Sequence, residues 1–162
     1  MIASVVGRAA AAVVLVQIGL LLPDLDQRLP LIGHRSALTH SMLLPLLLVG
    51  RWPAAAGMLA GGIAVHLAAD LLPRGWYGYA LIRLPLIGAL DGMTSQIFLG
   101  INAAAGLILY HLAAPDRPTR IVLWTVLAIS AVLYFLFAER WWPLALAVCA
   151  VATAGATIIR RR

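Results

Sequence analysis

The stretch WPAAAGMLAGGIAVHLAAD, residues 52–70, decides how the chain is read. Residues 52–69 carry no formal charge. At about 1.5 Å rise per residue, a helix of that length crosses a hydrocarbon core about 30 Å thick. Gly57, Gly61 and Gly62 supply the small residues that let helices approach closely in lipid. The stretch nevertheless ends in two ionisable groups, His66 and Asp70, which an apolar helix carries at a cost. Their i, i+4 spacing puts both on one helical face, one turn apart. That suits two ligands to one metal ion, or a carboxylate that orients a ligating histidine. It equally suits a hydrogen-bonded pair tying two helices together.

The pattern repeats on either side. Runs without formal charge cover residues 9–23, 36–50, 52–69, 92–115, 121–138 and 141–159. The first reaches full length if Arg8 snorkels and the helix begins near Ala3. The second is short and contains Pro45, so it reads as a kinked span or a re-entrant half-helix. No sustained period-2 alternation competes. The expected fold is therefore all-α: a polytopic membrane bundle of about six helices, forming one domain over residues 1–162. Ala103, Ala104, Ala105 and Gly106 mark a further packing face. No internal repeat supports an inverted-repeat transporter.

Composition agrees. The chain is 63% hydrophobic and 11% charged, with a mean hydropathy of +0.97. A soluble domain is about half apolar and about a quarter charged, so disorder, a coiled coil and a disulfide scaffold are excluded. The net charge of +6 rests on twelve arginines, scattered singly between apolar runs and ending in Arg160, Arg161 and Arg162. This is membrane-flanking charge, not a nucleic-acid face. Six spans would place seven arginines on the side of the termini and five on the other, which puts the termini in the cytoplasm. The only cysteine, Cys149, lies in an apolar run, so no intrachain disulfide forms. The N-terminal run lacks a small-residue cleavage site before Pro23-Asp24 and is expected to remain a span.

Two further polar clusters flank the opening stretch. Leu22-Pro23-Asp24-Leu25-Asp26 ends the first run. Pro23 breaks the helix and leaves two carboxylates on irregular backbone, able to converge on a cation or to cap a solvated loop. Gly33-His34-Arg35, with Thr39-His40-Ser41, opens the second run. Neutral imidazole is a common metal ligand, and the Arg35 fork suits phosphate or carboxylate. Thr39 or Ser41 can instead cap a helix start. In an up-and-down bundle, the end of run one, the start of run two and the end of run three share one membrane face. Asp24, Asp26, His34, His40, His66 and Asp70 would therefore meet, a donor set suited to zinc first, then manganese or iron, as one or two ions. Asp91 reads as an N-cap or an additional ligand, with Gln96 and Asn102 beyond it on the same helix. His111, Trp141 and Trp142 read as interfacial, as do Arg74, Trp76, Tyr77, Tyr79 and Arg83, whose loop can also serve as a lid.

In this order the clusters resemble those of the membrane-bound, metal-dependent hydrolase family of bacteria, also described as LexA-binding, inner-membrane-associated hydrolases. Its members carry LPDIDH, then GHRGxTHSLL, then HxxxDxxTxxG near a helix end. Here Leu22 to Asp26, Gly33-His34-Arg35 with Thr39-His40-Ser41, and His66 to Asp70 followed by Gly75 match, and Arg83-Leu84-Pro85 is also similar. The resemblance covers about residues 20–85. It implies a metal-dependent hydrolase with the Asp and His residues as ligands. The chain departs at Gln27, where the family often has His, and at Leu72-Pro73 in place of the Thr. The interval from His34 to His40 is one residue longer, and the first helix offers Gln17 but no His. A reduced set fits one ion instead of two, or a member that no longer catalyses.

The expected activity is attack by metal-activated water on a phosphoester of a membrane lipid or lipid-linked substrate. The ligands would be Asp24, Asp26, His40, His66 and Asp70, with His34 as ligand or general acid–base group. Arg35 would clamp the phosphate, and Thr39 would assist catalysis. No nucleic-acid partner is expected, and no protein partner is specified. The site would lie on the outer face of the inner membrane. A metal or proton transporter using the same cluster, and a non-catalytic membrane scaffold, are the competing classes.

Overall fold

The computed structural model describes residues 2–29, 33–73 and 75–137. Five α-helices occupy most of that length: α1 (Ile2–Leu21), α2 (Leu43–Val49), α3 (Pro53–Asp70), α4 (Gly92–Leu112) and α5 (Arg117–Phe137). Arg74, Arg140, Trp141, Trp142, Cys149, the sixth uncharged run and the terminal arginines lie outside the described residues.

Each boundary has a local cause. Pro23 stops α1 and starts the 3₁₀ turn Pro23–Arg28. Pro53 opens α3 at a position where its missing N–H costs nothing. Asp91 caps α4 by accepting the Thr94 amide at 3.0 Å, so it plays the capping role. Asp116 accepts the Thr119 amide at the start of α5.

The second uncharged run is neither a long span nor a continuous helix. Residues 36–42 form turns, and α2 is only seven residues long. In those turns the Ser36 amide and the Thr39 hydroxyl are donated to Asp26, and the Ala37 amide to the Arg83 carbonyl. A second difference is a small hairpin of β1 (Arg83–Leu84) and β2 (Gly88–Ala89), paired antiparallel.

α3 is the central element. Thirteen of its eighteen residues are buried, and it packs against α1, α2, α4 and, at fewer points, α5. Being apolar on every side, it must be enclosed. The α1–α3 crossing is closest at Gly19 and Gly62, where an added Cβ on either would overlap the other helix's backbone. Gly57, Gly61, Gly62, Ala103 and Gly106 thus sit in helix contacts as expected, whereas Ala104 is exposed.

Among the described residues, α4 and α5 are long and apolar enough to cross a membrane, and Val6–Leu21 within α1 forms a shorter apolar helix. The outward faces are apolar too: Val13, Val14 and Ile18 on α1, Ile101 and Ile108 on α4, and Ile121 and Ile129 on α5 are exposed. Soluble monomers rarely expose contiguous apolar surface on this scale.

Candidate metal centre

α1 and α3 both deliver their C-terminal ends to one place. His66 and Asp70 occupy the last turns of α3, and the carbonyl of Leu20 in α1 lies 2.9 Å from His66 Nδ1. A carbonyl can only accept, so Nδ1 carries the ring proton and Nε2 keeps its lone pair. The Tyr134 hydroxyl, from α5, also sits 2.9 Å from Nδ1. His66 Nε2 faces Asp70 Oδ2 at 3.5 Å.

His40 arrives from the turn before α2. Its Nε2 is 3.3 Å from Asp70 Oδ2, and its ring meets that of His66 edge-on, with centroids 5.6 Å apart. The donor atoms of His40, His66 and Asp70 all lie within 4.8 Å of one another, so these three residues can hold a metal ion. His40 is 1% and His66 3% exposed. Asp70 Oδ2 is a buried acceptor with no hydrogen-bond donor among the described residues. A buried carboxylate oxygen facing two imidazole nitrogens is costly unless a proton or a cation lies between them.

Asp26 is brought to the cluster, but from behind His40. Its Oδ2 lies 3.3 Å from His40 Nδ1, on the ring edge opposite Nε2. The same oxygen accepts the Ser36 amide at 2.9 Å and the Thr39 hydroxyl at 3.1 Å. This is the arrangement by which a carboxylate fixes the tautomer and orientation of a ligating histidine. Burial pushes the Asp26 pKa up, but hydrogen bonds from His40, the Ser36 amide and Thr39 outweigh it and hold the carboxyl below its ordinary range. Burial likewise disfavours the charged form of His40, yet Asp26 and Asp70 on its two sides raise its pKa to about 9. Without a metal ion, His40 is therefore a cation between two carboxylates.

Asp24 stands at the edge, its side chain 44% exposed and its Oδ1 3.9 Å from His66 Nε2. Gln27, where the resembled family often has His, donates to Asp24 Oδ1 at 2.7 Å. His34 faces Asp26 Oδ1 at 3.5 Å and lies outside the three-donor group. Thr39 bonds Asp26 Oδ2 and also the Ser36 carbonyl.

Arg35 is committed within the fold. Its Nη2 lies 2.6 Å from Asp70 Oδ1, and its Nη1 donates to the Ala80 carbonyl at 2.8 Å. It adopts a positive φ of 57°, uncommon for a residue with a Cβ. That backbone turn aims the guanidinium at the end of α3. Arg35 thus fixes Asp70 and pins the loop carrying Ala80 over the site.

Gln17 lies on α1 and bonds Ser130 at 3.1 Å, so it links α1 to α5. Asn102 accepts the Met42 amide at 2.9 Å and caps the segment entering α2. His111 accepts from Trp124 at 3.3 Å, near the opposite end of α4 from Asp91. Tyr134 carries no motif of its own; the one sequence signal for it is its position near the end of the fifth run, which returns to the same face. The Leu20 carbonyl carries no sequence signal.

No family model, no curated protein and no solved structure matches the chain.

Proposed function

We propose that this chain is a membrane-embedded, metal-dependent hydrolase, as the family its motifs resemble would imply, and that its substrate is a phosphoester of a lipid or lipid-linked molecule, a choice resting on the arginines beside the site and the apolar helices around it. The observation that carries this reading is the convergence of His40, His66 and Asp70. Three donors within 4.8 Å are each braced by a dedicated partner: Asp26 for His40, the Leu20 carbonyl for His66, Arg35 for Asp70. A helix-packing pair would need no such set of braces aimed at one point. Two histidines and a carboxylate suit a catalytic zinc site that keeps an open position, and also suit manganese or iron.

When bound, a divalent cation would supply Lewis acidity, polarising the ester and lowering the pKa of water towards about 7. The chain's own residues do the rest. His40, His66 and Asp70 would hold the ion, with Asp24 at the edge of the group, 3.9 Å from His66 Nε2. Asp26 holds His40 in the tautomer that presents Nε2. His34, about a third exposed and paired with Asp26, is the group able to exchange a proton with substrate. The lengths and apolarity of α4 and α5 support a membrane location; the inner membrane, with the termini cytoplasmic and the site on the outer face, is the reading of the arginine distribution alone.

Turnover tests this. Protein in detergent, loaded in turn with zinc, manganese and iron, is assayed on p-nitrophenyl phosphate and a short-chain phosphatidic acid. The expected result is turnover lost on chelation and in His66→Ala. Protein that binds metal but releases no phosphate from either substrate would refute the phosphoesterase reading.

A further inference from the structure

Beside the metal centre lies an open cleft of about 260 Å³, lined in part by Gly33, Ser36, Arg83, Leu86 and Gly88. We infer that it is an oxyanion-binding subsite, and that Arg83 is the residue that grips the anion. As the seat of the substrate's phosphoryl group it rests on the hydrolase reading; as an anion site it stands alone.

Arg83 is held rigidly at its backbone. Its amide donates to the Arg35 carbonyl and its carbonyl accepts the Ala37 amide, both at 2.9 Å. The next backbone amide upstream, that of Ile82, donates to Ser95 Oγ at 3.0 Å. The two Arg83 bonds bind the hairpin to the very turn that carries His34, Arg35 and His40, and the Ile82 bond ties it to α4. The Arg83 side chain, by contrast, has no carboxylate partner among the described residues, and its Nε is buried without an acceptor. A buried guanidinium N–H left unpaired is costly, and an oxyanion is the ligand that satisfies its fork.

Gly33 makes the place for it. A Cβ at Gly33 would stand 3.1 Å from Arg83 Cδ and 3.4 Å from Nη1, so an added methyl would push the Arg83 side chain aside by a few tenths of an ångström, and glycine leaves it where it lies. Ser36, buried beside it, bonds through its amide to Asp26 and so joins the cleft to the brace of His40. The lip is apolar: Leu86 and Ile87 at the hairpin tip are fully or largely exposed. A cationic floor under an apolar lip fits the phosphate of an amphiphile. Arg35, already paired with Asp70, leaves this task to Arg83.

The test is a ³¹P NMR titration of full-length protein in detergent at pH 7, with chelator present, so that it reads the cleft whether or not the metal centre functions. The probes are inorganic phosphate and dihexanoyl phosphatidic acid. Wild type is compared with Arg83→Gln, Gly33→Ala and, as a control for surface charge, Arg51→Gln. Losing a charge-assisted, forked contact weakens binding roughly ten- to hundred-fold. Arg83→Gln is expected to show that loss and Arg51→Gln none. Gly33→Ala, which keeps the charge but displaces it, is expected to fall between them. Arg83-dependent binding of both probes means the oxyanion suffices; Arg83-dependent binding of the lipid alone identifies a headgroup with its chains. Binding that is absent from wild type, or unchanged in Arg83→Gln, overturns the inference. If Arg83→Gln lowers the unfolding temperature, Gly33→Ala alone decides.

Discussion

The substitution Asp26→Asn isolates the charge that governs His40. The carboxamide would still offer an oxygen to the Ser36 amide and the Thr39 hydroxyl, so the buried hydrogen bonds have a replacement acceptor. What is lost is the negative charge 3.3 Å from His40 Nδ1. In the metal-free protein the His40 pKa is raised from 6.5 to about 9. That difference corresponds to about 3 kcal/mol favouring the imidazolium, shared between Asp26 and Asp70. Because the folded-state pKa exceeds the unfolded one, the folded protein binds the additional proton between these values. The stability is fully present below pH 6.5 and is lost as pH rises through about 9. Thermal unfolding in detergent with chelator, followed from pH 6 to 10, is expected to show this decline in wild type. In Asp26→Asn the decline should shrink by roughly half and end at lower pH. The variant should also bind metal about 10- to 100-fold more weakly, the usual cost of removing a partner that orients a ligand. Identical pH profiles and metal affinities in the two proteins would refute the assignment of Asp26 as the brace of His40.

Other substitutions probe the remaining braces. Arg35→Ala breaks a nearly buried ion pair with Asp70 and releases the Ala80 loop. It is expected to cost about 3–5 kcal/mol of stability in chemical unfolding; a loss of substrate affinity with stability unchanged would instead support Arg35 as the phosphate clamp. Gly62→Leu forces α1 away from α3 and carries the Leu20 carbonyl off His66. Metal affinity should therefore fall together with unfolding temperature, although Gly62 touches no ligand, and retained affinity would show that His66 is oriented by something else.

Much of the architecture was legible because hydrophobic runs and helix punctuation coincide. The runs 9–23, 52–69, 92–115 and 121–138 mark α1, α3, α4 and α5, and Pro23, Pro53 and Asp91 mark ends. The pairing of His66 with Asp70 followed from helical period, and the meeting of three clusters followed from connectivity. The second run, short and carrying Pro45, reads as a kinked span or a re-entrant half-helix, and only the short helix α2 forms within it. The Ser36 amide and the Thr39 hydroxyl go to Asp26 and the Ala37 amide to the Arg83 carbonyl, and helix begins only at Leu43. The direction of Arg35 depends on a left-handed backbone that no periodicity reports. Tyr134 and Arg83 acquire meaning only from partners far along the chain, 68 residues away in the case of Tyr134 and His66.

The assignment of His40, His66 and Asp70 as ligands of one metal ion is tested most directly by the metal content of detergent-purified protein by plasma mass spectrometry, with wild type beside His40→Ala and Asp70→Ala. About one zinc, manganese or iron ion per chain is expected in wild type and none in either variant. Wild-type protein that retains no metal, even after reconstitution with each ion in turn, would contradict the assignment.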